Sequence, residues 1–203
     1  MPPKVKFSRE QILKEALNLV REEGETALTT RALGKRLGTT ATPIFTAFEN
    51  VDELKLEVKK AAKDSFAMHI RQGLSESPVF IGVAKHYVLF ARDEPNLFRL
   101  LFMSQEMISE TEEYSPIITD NCRTVYEAFK DTFNLSEPDA ARLYLHTGIY
   151  LHGLASLFAE KMCNFSIEDV DALISEAGEG LVSAVKNHFF EELNDDAFPL
   201  YDM

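Results

Sequence analysis

Between Thr29 and Phe48 the sequence TTRALGKRLGTTATPIFTAF leaves few folds open. Leu33 and Leu37 stand four residues apart, and so do Ile44 and Phe48. Residues at that spacing share one face of a helix, so the stretch predicts two short helices whose apolar faces pack on each other. Gly38 follows the last apolar residue of the first helix, where a left-handed stop is expected. Thr40 is placed to cap the second helix. Pro43 then falls in its first turn, where a missing N–H loses no intrahelical bond. The remaining faces carry Thr30, Arg31, Lys35, Thr39, Thr42 and Thr46. Two short helices around a glycine turn, with a polar outer face, are the pattern of a helix-turn-helix that docks on DNA.

The flanks extend the helical reading. Ser8 and Gln11 have capping-box spacing, and Phe7 can staple onto Ile12. Ile12, Leu13, Ala16, Leu17 and Val20 form an apolar stripe that Gly24 ends, while Met1 to Lys6 reads as a loose arm with two lysines. Asn50 and Glu53 predict a further helix start, and Leu54, Val58, Ala61, Ala62, Phe66 and Ile70 carry its rhythm to about Gly73. The SESP run at 75–78 interrupts it. Helical segments are then expected near 79–93, 96–107, 115–133, 137–161 and 166–192, with Pro95, Pro116 and Pro138 near the breaks. No stretch alternates with period two between turn signals, so strands are not expected. The acidic tail from Asn194 should fray. The fold class is therefore all-α, with a helix-turn-helix domain over 1–50, a linking helix over 51–74 that carries the junction near Lys63, and a helical body over 75–203.

A net charge of −12 over 203 residues looks wrong for a DNA-binding protein. The distribution answers the objection. Residues 1–63 hold 12 Lys and Arg against 9 Asp and Glu, a net of +3; the remaining residues hold 9 against 24, a net of −15. A mildly basic head on an acidic body suits a protein that presents one end to phosphate. Cys122 and Cys163 make neither a disulfide framework nor a metal pattern, which points to a reducing, cytoplasmic setting. The first 15 residues have no long apolar core, so no signal peptide is expected. The most apolar run, Leu143 to Ala159, is short for a membrane span and contains His146 and His152, so it reads as a buried helix. The sequence has no phosphate-binding glycine loop, no Gly-x-Ser-x-Gly elbow and no His-Glu-x-x-His, and its five histidines share no metal spacing. Neither an enzyme nor a cofactor or metal is expected.

The arrangement resembles the tetracycline-repressor (TetR) family of bacterial transcription regulators over about Phe7 to Val58. The resemblance rests on Thr29-Thr30-Arg31, Leu37-Gly38, Phe45 to Phe48, and Asp52-Glu53-Leu54. In the body, the run from Asp93 to Phe102 and the segment from His152 to Leu157 are similar to a TetR subgroup with a Trp-His-Gly motif, although Tyr150 and Leu151 precede His152 here and the tryptophan is absent. The resemblance implies a homodimer that inserts a recognition helix into the major groove of a palindromic operator and is released by a small molecule bound in its C-terminal domain. The sequence departs from the family at Phe45, commonly a tyrosine, at Ala47, often a histidine, and at Val51, often a lysine. A second reading follows from those departures: an all-α interaction or ligand-binding protein whose head no longer reads an operator.

Candidate contacts divide by chemistry. Thr30, Arg31, Thr39 and Lys55 are placed for phosphate, which positions a protein on DNA. Thr42, Pro43, Phe45 and Thr46 are placed to face bases, and Lys35 and Thr40 are further candidates for DNA contact. This surface lacks the Arg, Asn or Gln that read bases bidentately, so threonine and apolar contacts, including those to thymine methyls, are expected, with DNA shape contributing.

The dimer face is expected on the two late apolar helices. Gly148, His152, Gly153 and Ser156 lie on one; Ala177, Gly178, Leu181, Ala184 and Val185 lie on the other. An interior glycine costs about 1 kcal/mol relative to alanine, and close helix approach across a four-helix interface would compensate. For the effector pocket, His86, Tyr87 and Phe90 are candidates on one helix, and Phe98, Phe102, Met103 and Met107 on the next. Tyr114, Ile118, Cys122, Tyr126, Phe129 and Tyr150 complete the set. The acid-rich body favours a neutral or cationic effector, while His86, Arg92 and Arg123 leave an anionic one open.

Overall fold

The computed structural model describes residues 7–104 and 122–189. Among these residues the regular elements are all helical. They are α1 (Arg9–Glu23), α2 (Thr30–Arg36), α3 (Thr42–Ala47), α4 (Val51–Leu74), α5 (Val79–Asp93), α6 (Pro95–Phe102), α7 (Cys122–Phe133), α8 (Glu137–Ala159) and α9 (Ile167–Lys186), with a single 3-10 turn at Glu25–Ala27. None of the described helices is long and apolar enough to cross a membrane. The arm from Met1 to Lys6, the start of the segment expected at 115–133 and the tail from Asn194 lie outside the described residues.

Local chemistry explains where the helices begin and end. Ser8 and Gln11 form the expected reciprocal capping box on α1, and Gly24 stops it at φ 86°. The buried face of α1 is Ile12, Ala16, Leu19 and Val20. Leu13 and Leu17, expected in that stripe, are only half-buried; α1 packs against α2, α3 and α6, and its fully buried residues are the four named. Thr29 caps α2 through the Ala32 N–H at 3.1 Å. Gly38, at φ 64°, makes the left-handed turn that follows. Thr40 does not cap α3. The cap position is Ala41, with no side-chain bond, and the Thr40 hydroxyl instead donates to that of Thr42 at 3.3 Å. Pro43 lies in the first turn of α3 as expected. At α4 the Asn50 side chain accepts from the Glu53 N–H at 2.8 Å, but the Glu53 carboxylate reaches back to the N–H of Glu49 rather than to that of Asn50. Ser136 and Ser166 cap α8 and α9.

The chain divides into two compact units. One holds the described residues of Met1–Met68 and Asp93–Ser109; the other holds those of His69–Arg92 and Glu110–Met203. Ile12, Leu33, Ile44, Phe48, Leu54 and Val58 are buried in the first unit, together with Leu97, Phe98 and Leu101 of α6. Polar contacts clasp α6 to the end of α1. The Arg21 Nε lies 2.8 Å from both carboxylate oxygens of Glu94, and Asn96 donates to the Arg21 carbonyl at 2.9 Å. In the second unit α7, α8 and α9 pack in sequence, and Val125, Phe129, Leu143 and Val185 form a shared core. The end of α4 meets the start of α5 through backbone: a Cβ built on Gly73 would fall 2.6 Å from the Gly82 carbonyl oxygen. Glu76, in the connecting turn, accepts from Lys85 and lies 2.8 Å from His86 Nε2.

Candidate functional site

The outer surface of the helix-turn-helix is built by an inward-facing framework. Ile44 and Phe48 are 1% and 2% exposed, whereas Phe45, between them on α3, is 53% exposed. A single turn therefore gives one face to the core and the other to solvent. Gly34 permits the close turn: its Cβ would lie 3.1 Å from the Thr39 carbonyl oxygen, and the Thr39 N–H donates to the Gly34 carbonyl at 2.9 Å.

The head's arginines divide into two groups. Arg36 spans Glu15 at 2.8 Å and Glu22 at 2.7 Å. The hydrogen bonds from Glu22, then Glu15, raise the guanidinium pKa further, and the Arg36 bond holds Glu22 below the usual carboxylate range. Arg9 donates to the Ala47 carbonyl at 2.6 Å and to Glu53 at 2.8 Å, and its guanidinium lies 4.1 Å from the centre of the Phe48 ring. Glu53 is lowered first by the Glu49 N–H and then by Arg9. These two arginines fasten α1 to α2 and to the end of α3. Arg31 and Lys35 are exposed and make no hydrogen bond or ion pair among the described residues. The framework role of Arg9 and Arg36 is not legible in the sequence; only their carboxylate partners, 14 to 44 residues away, reveal it.

Thr42, Thr46 and Thr40 are exposed beside Phe45, while Thr30, Thr39, Pro43 and Lys55 are half-buried. The Thr46 hydroxyl donates to the Thr42 carbonyl at 3.0 Å. With Thr40 bound to Thr42, two of the three exposed hydroxyl hydrogens are used within the helix and its turn. The exposed residues of α3 are thus one aromatic ring and two threonines, and the preceding α2 exposes two uncommitted cations.

The second unit contains a cavity of about 400 Å³. Phe80, Ile81 and Ala84 of α5 line it, with Phe129 and Phe133 of α7 and with Leu143 and Thr147 of α8. From α9 come Ile174, Ser175, Gly178, Glu179, Val182 and Ser183. Of the residues expected to line a pocket, Phe129 is placed there. Tyr87 instead bonds through its hydroxyl to His152 Nδ1 at 3.0 Å, and burial lowers the His152 pKa. Phe90 is buried with its ring edge-on to His69, and His86 is held by Glu76. Phe98 and Phe102 belong to the first unit, where Phe102 packs on Phe66; Met103 is exposed. Tyr126 bonds to Glu137, and Tyr150 donates to the Leu173 carbonyl at 3.2 Å. Met107, Tyr114 and Ile118 lie outside the described residues, and Cys122 is described only as the first residue of α7. Aromatic residues at helical spacing fill whichever helix contact they meet, so sequence could not tell a filled contact from a vacancy. Phe129 and Phe133 share a face by their spacing, but nothing in the chain marks Thr147 or Glu179 as their neighbours.

The residues expected at a dimer face also separate. Val185 is 2% exposed and belongs to the unit's own core, against which Leu181 packs. Both face inward because α9 lies along α8. His152 is held by Tyr87, and Ser156 donates to the His152 carbonyl at 2.7 Å. Gly148, Ala177 and Ala184 are half-buried. Gly153 is exposed and Gly178 half-buried, and a Cβ at either meets nothing within 4 Å. Ile149 and Leu157, 56% and 37% exposed, stand one turn to either side of Gly153 on the same face of α8.

A helix-turn-helix head followed by a body whose described elements are all helices is the build of one class of transcription regulators, and the family comparison places the chain among them. The model of a tetracyclin repressor-like C-terminal domain matches residues 80–181, half of the chain. The protein belongs to the TetR family and is a regulator of that type. No curated protein matches it.

Proposed function

We propose that the protein is a homodimeric, sequence-specific DNA-binding repressor, working in the cytoplasm, that a small-molecule effector releases from a palindromic operator. The observation that carries this reading is the division of the head's cations. Arg9 and Arg36 are committed to carboxylates, while Arg31 and Lys35 on α2 are exposed and uncommitted, and the following α3 exposes Thr42, Phe45 and Thr46. Phosphate neutralisation by Arg31 and Lys35 would supply affinity, and α3 would read the major groove.

A monomer holds one recognition helix, whereas a dimer reaches two half-sites about 34–36 Å apart. Ile149, Gly153 and Leu157 supply an apolar, close-approach stripe on α8 that suits a two-fold interface. An effector that binds better to a spacing of heads unfit for the operator shifts the population away from DNA. Selection from random duplex DNA tests the proposal. Recovery of a palindrome, with binding lost in Arg31→Ala and Thr42→Ala, is the expected result. Equal binding to all duplexes, even at low salt, would sink specific repression and favour the reading of a ligand-binding protein with a degenerate head.

A further inference from the structure

The cavity of the second unit has a definite chemistry. Phe80 lies 5.2 Å from Phe129 and 5.4 Å from Phe133, ring centre to ring centre, so three aromatic rings make one corner. Leu143, Ile174 and Val182 continue the apolar wall. The volume, about 400 Å³, is that of a small-molecule site. Four side chains interrupt the apolar lining: Thr147, Ser175, Glu179 and Ser183. Ser175 donates to the Asp171 carbonyl at 2.8 Å, and Ser183 lies 3.4 Å from the Asn187 amide. Thr147, half-buried, and Glu179, exposed at the cavity mouth, make no hydrogen bond or ion pair among the described residues. No Lys, Arg or His is among the described lining residues.

A carboxylate with no cationic partner, at the edge of an aromatic cavity, sets the sign of its ligand. An anionic ligand would place like charges together, with nothing in the lining to neutralise either. A neutral apolar ligand would gain from burial alone. A cation with an apolar body would gain from burial and from Glu179 together. We propose that this cavity binds a lipophilic amine. Its hydrocarbon body lies against Phe80, Phe129 and Phe133, and its protonated nitrogen donates to Glu179, with the Thr147 hydroxyl as a second acceptor. The assignment rests on the reading of the body as an effector-binding unit, and it names the class of effector.

Calorimetric titration of the full chain at pH 7 with 4-phenylbutylamine, 4-phenylbutanol and 4-phenylbutyrate tests it, since the three share a body and differ in charge. The amine is expected to bind about two- to fivefold tighter than the alcohol, the size of a solvent-screened charge pair, and the acid weakest. Glu179→Gln should bring the amine and the alcohol together without changing the alcohol. Gly178→Leu should remove binding of all three, because its new side chain has room to form and enters the cavity that Gly178 lines. Acid binding as tight as the amine, a preference that survives Glu179→Gln, or no binding by any probe overturns the proposal. If Gly178→Leu fails to fold, the Glu179→Gln comparison still decides it. A duplex-release assay separates this inference from the wider reading. An amine that fills the cavity and leaves DNA bound upholds the cavity and removes its effector role. Release by a compound that neither competes with the amine nor responds to Glu179→Gln overturns the cavity as the effector site.

Discussion

Gly73→Ala should destabilise the protein, although the same change in an open part of a helix stabilises it. Two opposing quantities set the sign. Replacing an interior helical glycine by alanine gains about 1 kcal/mol from helix propensity. Against that, the Cβ built on Gly73 lies 2.6 Å from the Gly82 carbonyl oxygen, 2.7 Å from the Gly82 carbonyl carbon and 2.8 Å from the Val83 Cα. All three are backbone atoms of α5, so no side chain can rotate away. The end of α4 and the start of α5 would have to part by nearly an ångström, stretching the Glu76 bonds to Lys85 and His86 that close the turn. Overpacking of this kind costs about 1–3 kcal/mol, and contact with three rigid atoms puts Gly73 at the upper end. The net is a loss of about 2 kcal/mol, which for a chain of this size lowers Tm by about 4–8 °C. Gly180→Ala in α9 is the control, because a Cβ there meets nothing within 4 Å; it should raise stability by up to about 1 kcal/mol. Thermal denaturation followed by far-UV circular dichroism reads both. A Gly73→Ala protein as stable as the parent would refute the close helix contact.

Other expectations concern the head, the dimer and pH. Arg31→Ala should weaken duplex binding with Tm unchanged and reduce the salt slope by about one, whereas Arg36→Ala should lower Tm of the head because Glu15 and Glu22 lose their shared partner; fluorescence anisotropy across a salt series, paired with calorimetry, distinguishes them. Gly153→Leu should shift the protein from dimer to monomer in sedimentation at micromolar concentration, and an unchanged sedimentation coefficient would remove α8 from the interface. Burial lowers the pKa of His152, and burial followed by Arg142 lowers that of His146. Each histidine in the unfolded chain then takes up a proton at a higher pH than in the folded one, so their contribution to stability is complete above about pH 6.5 and is lost as pH falls through the folded values. Tm should therefore drop between pH 7 and pH 5.5, and His152→Gln should flatten that drop; an equally steep profile in the variant would contradict the assignment.

Much of the head was legible in sequence because its determinants are local. The Ser8–Gln11 capping box, Gly24, Gly38, Pro43 and the pairs Leu33/Leu37 and Ile44/Phe48 each act within one turn of their own position. Breaks near Pro95 and Pro138 followed from proline in the same way, whereas the serine caps at Ser136 and Ser166 went unread. Thr40 was misread because hydroxyl–hydroxyl bonding to Thr42 competes with capping, and both are local options that sequence cannot rank.

By itself the sequence determined an all-helical chain, a helix-turn-helix with Phe45, Thr42 and Thr46 facing outward, and the contrast of a basic head with an acidic body. The tertiary structure decided the partners of each charged or aromatic side chain. It committed Arg9 and Arg36 to the framework and left Arg31 and Lys35 exposed. It drew α6, with Phe98 and Phe102, into the head's unit and turned Val185 into the body's own core. It also opened a cavity at Phe129 rather than at Tyr87 or Phe90. The physical reason is range. Caps and periodicity are written within four residues, whereas ion pairs, filled contacts and vacancies depend on groups that only packing brings together.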